Sequence, residues 1–339
     1  IHQSACLGHA VWLWPGNAHP EAHTLPEGRT RLHLALRQMD VLYTRLQEEP
    51  PLACRYALSP WKRLIGSPLI VWEFNTAPEF HRVMGRPEAR VRAAQETFRH
   101  FGTGCDLDVC VSVTLHEYVG QDLGLRRIIT VPNGSDPDLF RPDAAPVPGR
   151  QLDPAALHVA WLGSGELAWH NLELLEQTAA RLDEMGADQA IQFHVIGNAA
   201  SPAGQTWPNL HYHGPVSYAD LPGWLAGMDV GLCLYHPGPA EYSSPLKLFD
   251  YMASGLAVVS LYQPQVKEIL EQLDQLDQLV PASDPQLLAE ALLGLCGDRE
   301  GTRRRGLAGP QLLIRQYTWR RAVETIYNEI QFLLDQRRH

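Results

Sequence analysis

The chain has 339 residues, of which 45% are hydrophobic and 19% charged, so it is long and apolar enough for two domains with their own cores. Its formal net charge of −10 argues against a general nucleic-acid-binding protein, because such surfaces are usually basic. No apolar run reaches the roughly 18 residues of a membrane-spanning helix, and no signal peptide is visible.

In the first half of the chain, short apolar runs alternate with helical patterns. Residues 86–104 have the spacing of an amphipathic helix closed by glycine. An Asn-Gly pair at 133–134 is typical of a turn and ends this unit. Apolar, β-branched runs predict strands at 9–14, 41–46, 69–74, 108–113 and from 127. The next stretch, 136–156, is rich in Pro, Asp and Ala and is expected to be a linker.

The second half repeats the alternation, with strands predicted at 157–163, 191–197, 209–214, 230–235 and 256–262. Such alternation predicts parallel sheets covered by helices on both faces. We therefore expect an α/β protein with two Rossmann-like, doubly wound domains facing a cleft, with ligands beyond the carboxyl ends of the strands. The predicted domains are 1–150 and 151–316, followed by a C-terminal helix at 317–339 that crosses back to the first domain.

The cysteines and histidines do not predict a metal site. The six cysteines form no CxxC pair, and Cys233 and Cys296 lie in apolar runs typical of buried thiols in a cytoplasmic protein. The densest histidine group, HYH at 211–213, is interpreted as part of a strand whose side chains alternate between faces.

The stretch SPLKLFDYMASG at 244–255 stands between two of the predicted strands. Ser244 suits the N-cap of a helix, Pro245 its first position and Gly255 its end. The free N–H groups of such a helix start, at the carboxyl edge of a parallel sheet, are suited to bind a phosphate.

Two charged residues on this helix indicate a nucleotide site. Lys247 lies in the first turn and Asp250 three residues later, so both share a face. A cation suits phosphate and a carboxylate suits ribose hydroxyls. The alternative is a plain surface helix with an intrahelical ion pair.

SPLKLFDYMASGLAVVS resembles the donor-binding segment of the retaining GT-B glycosyltransferases of family 4 (group 1). Further segments resemble the same family in the same order along nearly the whole chain. They are GHAVWLW at 8–14, VWEFNTAP at 71–78, the run from VSVTLHEYVG to PNGSDPDLFRP, AWLGS with WHNLELL, and LHYHGPVSYADLPGWLAGMDVGLCLY.

The chain also departs from the family pattern. Asp250 stands where the family has the second of two glutamates, and Tyr242 where it has the first; Glu241 is one residue earlier. His170 replaces a lysine, and the basic pair that grips the diphosphate is absent. The first strand of the acceptor domain is expected either to lie upstream of Ile1 or to be absent.

The resemblance implies transfer of a sugar from a nucleotide-diphosphate sugar to an acceptor hydroxyl, with retention and without a metal or cofactor. It implies that Glu73 or Glu241 acts in catalysis, although an ion pair with a neighbouring arginine is an alternative role for Glu73. Asn75 and Asn133 are acceptor-side candidates, and for Asn133-Gly134 a plain turn is the alternative. The donor-binding candidates are Gly163, Ser164, His170, Tyr242, Ser243, Ser244, Pro245, Leu246, Lys247 and Asp250.

Two other functions remain open at this stage. One is a GT-B nucleotide-sugar epimerase or hydrolase, and the other is a catalytically degenerate GT-B subunit that binds or scaffolds a partner. The expected acceptor is a saccharide, a lipid-linked molecule or a small molecule in polysaccharide or glycoconjugate synthesis, and no nucleic acid is expected. The expected location is cytoplasmic, with peripheral membrane association left open.

Overall fold

The computed structural model describes residues 12–13, 20, 22–24, 35, 38–45, 68–201 and 206–338. The chain divides into two compact units, Ile1–Pro132 with Trp319–His339, and Asn133–Thr318. The parts of the predicted strands at 9–14 and 41–46 that are not in these ranges lie outside the described residues.

The first unit contains a four-stranded parallel sheet of order β3-β4-β5-β6. The run LIVWEF forms β4 and is almost wholly buried, as expected for a central strand of a parallel sheet. A separate parallel pair lies earlier in the chain. The strands are β1 Trp12–Leu13, β2 His23–Thr24, β3 Val41–Arg45, β4 Leu69–Phe74, β5 Leu107–Cys110 and β6 Ile128–Thr130.

Helices follow the strands of this unit. The strand predicted at 108–113 ends at Cys110, because the Ser112 hydroxyl accepts the Leu115 N–H and caps the next helix. In the C-terminal helix, Ile330 and Leu333 pack against side chains of β4 and β5. The helices are α1 Phe80–Val83, α2 Glu88–Gly102, α3 Val113–Gln121 and, at the C-terminus, α10 Trp319–Arg338.

The second unit begins at Asn133, whereas the sequence placed the division at 150. The Pro- and Asp-rich segment packs on this unit: Phe140 is fully buried in its core, and the Val147 N–H donates to the Gly223 carbonyl. Arg150 donates to the carbonyls at the end of a short helix. The composition of 136–156 predicted a linker. It could not reveal these contacts, because their partners are distant in sequence.

A six-stranded, wholly parallel sheet of order β12-β11-β10-β7-β8-β9 forms the second unit. Along β7, Ala160 and Leu162 join one buried cluster while Val159 and Trp161 join the other. Both faces are therefore covered, as predicted for a doubly wound sheet. The strands are β7 Leu157–Leu162, β8 Ile191–Ile196, β9 Leu210–Gly214, β10 Val230–Cys233, β11 Ala257–Leu261 and β12 Leu279–Val280.

Helices α4 and α8 contribute to one cluster, and α5, α6, α7 and α9 to the other. Two 3-10 helices, Pro239–Tyr242 and Leu276–Gln278, precede α6 and β12. The helices are α4 Leu172–Glu184, α5 Leu221–Leu225, α6 Leu246–Ala253, α7 Pro264–Gln272, α8 Pro285–Gly297 and α9 Arg299–Gln316. The predicted α/β class with parallel sheets is confirmed.

Helix α6 begins one residue later than predicted. Pro245, not Ser244, is its N-cap, and no side chain caps it. Its end matches the prediction: Gly255 has φ +75°, its N–H donates to the Met252 carbonyl, and the Leu256 N–H donates to the Tyr251 carbonyl. This is a Schellman motif, which glycine favours because of the positive φ.

Candidate functional site

The candidate site lies at the carboxyl edge of the sheet in the second unit. Strands β7 and β10 are neighbours there, and the chain continues from them into Gly163–Ser164 and into the loop that leads to α6. Doubly wound sheets bind ligands beyond this edge. The first two N–H groups of α6, those of Leu246 and Lys247, have no partner among the hydrogen bonds of the described residues.

Lys247 is a buried cation at this edge. Its Nζ lies 3.4 Å from His170 Nε2, and 4.4 Å and 5.2 Å from the ring centroids of Trp161 and Tyr235. No carboxylate is among its partners in the described part of the chain. Burial lowers the pKa of the Lys247 ammonium to about 8, which a bound anion would counteract.

His170 is neutral and does not supply a second cation. Its pKa is lowered to about 3, first by burial and then by the charge of Lys247. Its Nδ1 lies 2.7 Å from the Ser164 carbonyl oxygen, which can only accept. Nδ1 therefore carries the proton, and the Nε2 lone pair accepts from Lys247.

Asp250 lies one turn after Lys247 and is also buried. The Ser135 hydroxyl donates to its Oδ1 at 2.6 Å. Burial raises the pKa of Asp250 to about 7, opposed by the Ser135 hydrogen bond. The alternative of an exposed surface helix is wrong, because every residue from Lys247 to Ala253 is buried.

Two hydrogen bonds join Ser244 and Asn133. The Asn133 N–H donates to Ser244 Oγ at 2.9 Å, and Asn133 Nδ2 donates to the Ser244 carbonyl at 2.7 Å. Asn133, an acceptor-side candidate, thus contacts the loop before α6 in the second unit. Gly134 is not among the glycines with positive φ, so the turn does not require glycine on that ground.

The loop before α6 is fixed by its own hydrogen bonds. Glu241 Oε1 accepts the Gly238 N–H at 3.0 Å, and the Ser243 hydroxyl donates to the Ala240 carbonyl at 2.6 Å. Gln263 Nε2 donates to the Ser243 carbonyl at 2.9 Å. The structure therefore gives Glu241 a local structural contact. Tyr242 and Ser243 lie beside it as half-buried residues.

The turn after β7 needs glycine because it is crowded. A Cβ on Gly163 would lie 2.8 Å from His170 Cε1, and one on Gly197 would lie 1.9 Å from the Gly163 carbonyl oxygen. The N–H groups of Gly163 and Gly165 donate to the carbonyls of Ile196 and Asn198. They are not available to a phosphate, contrary to the sequence-based expectation for this turn.

Glu73 and Asn75 lie at the end of β4 in the first unit. Asn75 Nδ2 donates to Glu73 Oε1 at 2.6 Å, and the Tyr43 hydroxyl donates to Glu73 Oε2. Arg45 Nε is 3.9 Å from Glu73 Oε1, so the alternative ion pair is present but long. Tyr43 was not a candidate from the sequence, because only the pairing of β3 with β4 brings it to Glu73.

The described residues contain neither a cluster of metal ligands nor a membrane-spanning helix. Within the described ranges, no three His, Cys, Asp or Glu side chains form a group that could hold a metal ion. Among the described helices, none is long and apolar enough to cross a membrane.

A protein-family model described as glycosyl transferase-like matches residues 173–328. Sucrose-phosphate synthase from Thermosynechococcus elongatus superposes with a TM-score of 0.72 at 14% identity, over 98% of this chain and 91% of that one. WaaG, a glycosyltransferase involved in lipopolysaccharide biosynthesis, superposes with a TM-score of 0.68 at 12% identity, over 96% and 93%.

The fold is GT-B. Anabaena HepE, solved with UDP-glucose, gives a further GT-B match, with a TM-score of 0.64 at 13% identity over 91% of this chain and 81% of that one. No curated protein sequence matches the chain significantly. The family match and these structures support a glycosyltransferase, and the matched segment contains α6 with Lys247 and Asp250.

Proposed function

We propose that the protein is a retaining, metal-independent glycosyltransferase of family 4 that moves a sugar from a nucleotide-diphosphate sugar to an acceptor hydroxyl. The observation that carries this proposal is Lys247, a buried cation at the carboxyl edge of a parallel sheet with no carboxylate among its described partners. A buried charge without a counter-charge is costly, so such a site is suited to bind an anion.

The parts of the site suggest separate roles. Lys247 and the free N–H groups at the start of α6 would hold the diphosphate and stabilise it as a leaving group. Asp250 would accept from ribose hydroxyls. Glu73 and Asn75 would contact the acceptor, and Glu73 would take its proton. The acceptor is a saccharide, a lipid-linked molecule or a small molecule in polysaccharide or glycoconjugate synthesis, and no cofactor is required.

A non-catalytic function is the second candidate. Asp250 Oδ1 already accepts from Ser135, and Glu241 Oε1 from the Gly238 N–H. Both acidic groups expected at the donor are therefore engaged within the protein, which favours a GT-B subunit that binds a nucleotide without transferring a sugar. An epimerase or hydrolase differs from a transferase only in the fate of the sugar.

Calorimetric titration with UDP, GDP and ADP tests the nucleotide site. We expect one nucleotide to bind in the micromolar range, and Lys247→Met to weaken it about 10- to 100-fold, as loss of a charge-assisted hydrogen bond would. Asp250→Asn should also weaken binding. Lys267→Met is the matched control, because Lys267 is exposed on α7 beside Glu271.

Turnover then separates the candidate functions. Release of nucleotide from the matching sugar donor, with the sugar found on an added acceptor, supports the transferase. Release with free sugar supports a hydrolase, and tight binding without release supports the non-catalytic subunit. Failure of all three nucleotides to bind the wild-type protein would reject the proposed site.

A further inference from the structure

We propose that His170 is a positioning residue: as a neutral hydrogen-bond acceptor it holds Lys247 in place, so that one lysine ammonium, rather than a pair of fixed cations, takes the phosphate groups of an anionic ligand. The inference rests on the proposed function of the same site. The family that this chain resembles has a lysine, a cationic donor, at the position of His170. We assign His170 the opposite role of a neutral acceptor.

The orientation of the imidazole follows from its two contacts. The Ser164 carbonyl oxygen, 2.7 Å from Nδ1, can only accept, so Nδ1–H donates to it. Nε2 is then an acceptor, and it lies 3.4 Å from Lys247 Nζ. A protonated or inverted ring would place a hydrogen against the ammonium, so this tautomer is the one compatible with both contacts.

The backbone holds His170 in this orientation. The residues on either side pair with the end of β10: the Asn171 N–H donates to the Leu234 carbonyl at 3.2 Å, and the His236 N–H to the Trp169 carbonyl at 3.0 Å. His170 itself bridges Tyr235 in an antiparallel pair. The backbone on both sides of His170 is therefore held by hydrogen bonds before a ligand binds.

Within the described part of the chain, the other groups that contact Lys247 are uncharged. Trp161 from β7 and Tyr235 after β10 present aromatic rings to the ammonium. Burial raises the pKa of the Tyr235 hydroxyl and raises that of the Cys233 thiol to about 12, so both are neutral. A ligand anion would be the first negative charge that Lys247 meets.

The choice of lysine supports this arrangement. The chain contains three lysines, Lys62, Lys247 and Lys267, and its other basic side chains are arginines. Arginine would remain protonated at any working pH and presents a planar fork rather than a compact ammonium. A single lysine in an aromatic, neutral cage stays mostly protonated near neutral pH but has a lowered pKa, which a bound anion would raise again.

Competitive acetylation with acetic anhydride across a pH series, read by mass spectrometry, measures the Lys247 titration directly. With so few lysines each can be followed separately, and exposed Lys267 is the internal reference. We expect the acetylation midpoint of Lys247 near pH 8, because burial lowers the pKa of its ammonium to about 8. Saturating nucleotide should raise that midpoint by at least about one unit, because a bound anion favours the protonated amine.

The matched variants are His170→Met, which has no strong acceptor, and His170→Gln, whose amide oxygen can take the place of Nε2. We expect the Met variant to lower the Lys247 midpoint by about one unit and to weaken nucleotide binding about tenfold, as loss of one hydrogen bond that positions a charged group would. The Gln variant should recover most of both. If the Met variant leaves both unchanged, His170 serves packing alone and the proposal is overturned.

A measurement on the wild-type chain covers the case in which a variant does not fold. Nitrogen-15 NMR of the wild-type histidine side chains should show a neutral ring protonated at Nδ1 whose Nε2 signal shifts as Lys247 titrates near pH 8. Its absence would overturn the proposal. If the Lys247 midpoint depends on His170 but no nucleotide binds, the positioning role of His170 is supported in the free protein. The proposed nucleotide function then fails instead.

Discussion

Ser135 supports Asp250 across 115 residues of sequence. Its hydroxyl donates a hydrogen bond to Asp250 Oδ1, and both residues are buried. Removing one member of a buried pair leaves the other unsatisfied, which costs more than the net value of the hydrogen bond. Ser135 therefore has a direct effect on the state of Asp250, although the sequence offers no signal for it besides its place after the Asn-Gly pair.

We predict that Ser135→Ala destabilises the second unit by about 1–3 kcal/mol, because Asp250 Oδ1 loses its donor in a buried site. Urea denaturation at fixed pH measures the change. In an Asp250→Ala background the same substitution should cost much less, since no carboxylate remains to be left unpaired. Equal costs in the two backgrounds would show that the pair is not coupled.

At the scale of the element, the turn after β7 is held by a close backbone crossing. Gly197 and Gly163 approach so closely that a Cβ on Gly197 would lie 1.9 Å from the Gly163 carbonyl oxygen. Gly197 also has φ +136°, a conformation that favours glycine. This crossing sets the path of the chain from β7 toward His170.

We predict that Gly197→Ala destabilises the protein by at least about 3 kcal/mol, because backbone atoms cannot move aside as a side chain can. Gly186→Ala is the matched control: Gly186 has φ +67° but open space around its added Cβ. The control should cost only about 1 kcal/mol. Thermal unfolding of both variants measures the difference, and similar losses would contradict the crossing.

Three histidines form a hydrogen-bonded chain across β7, β8 and β9. His158 Nε2 donates to the Asp153 carbonyl at 2.8 Å. His194 Nε2 then donates to His158 Nδ1 at 3.0 Å, and His213 Nε2 donates to His194 Nδ1 at 2.9 Å. His158 and His194 each use both ring nitrogens, one as donor and one as acceptor, so both rings must be neutral, whereas His213 has only to donate through Nε2. The interpretation of the HYH segment as alternating strand positions holds, but these partners were not visible in the sequence.

We predict that this chain makes the second unit acid-sensitive. Burial and neighbouring charges lower the pKa of His194 to about 2 and that of His213 to about 4. The free energy of unfolding that the neutral histidines contribute is fully present above their unfolded-state pKa of about 6.5. It is lost as pH falls below that value, because the unfolded chain then binds more protons than the folded chain. For His194 alone the loss between pH 6.5 and 5 is about 2 kcal/mol.

Urea unfolding followed by tryptophan fluorescence at pH 7.5 and 5.0 measures this effect, and Trp224, 4.7 Å from the His213 ring, is a local reporter. Arg150 lies over Trp224 and adds to the repulsion of a protonated ring. His213→Gln should reduce the acid sensitivity. Equal stability at the two pH values in the wild type would contradict the prediction.

At the scale of the whole molecule, the chain returns to its first unit at its end. Leu333 and Ile330 of α10 pack on β4 and β5, and Arg337 forms an ion pair with Asp106 at 2.6 Å. The first unit therefore depends on residues that are synthesised after the second unit. Its fold can be completed only after the second unit has been made.

We predict that Leu333→Ala destabilises the first unit by about 2–4 kcal/mol through loss of buried area and a remaining cavity. The adjacent Phe332 is 56% exposed, so Phe332→Ala should change the free energy of unfolding by no more than about 0.5 kcal/mol. Hydrogen exchange of the β4 amides reads the first unit directly. Equal protection in the two variants would show that α10 does not support this sheet.

The sequence by itself determined the class of the fold and was enough to propose where the candidate site lies. Apolar β-branched runs such as LIVWEF are buried strands, and glycine at 255 ends α6, because period, composition and positive φ act locally. The presence of Lys247 and Asp250 together on the start of one helix also follows from spacing alone.

Only the tertiary structure decided what these residues contact. Lys247 has no carboxylate partner among the described residues, His170 is neutral, and Asp250 accepts from Ser135. Each of these depends on side chains brought from distant strands and loops. The segment after Asn133 belongs to the second unit for the same reason: its Phe140 finds its core only when the sheet has formed. Local pattern fixes where chain elements begin and end, whereas burial and partners across the fold fix the charge and orientation of the groups that they carry.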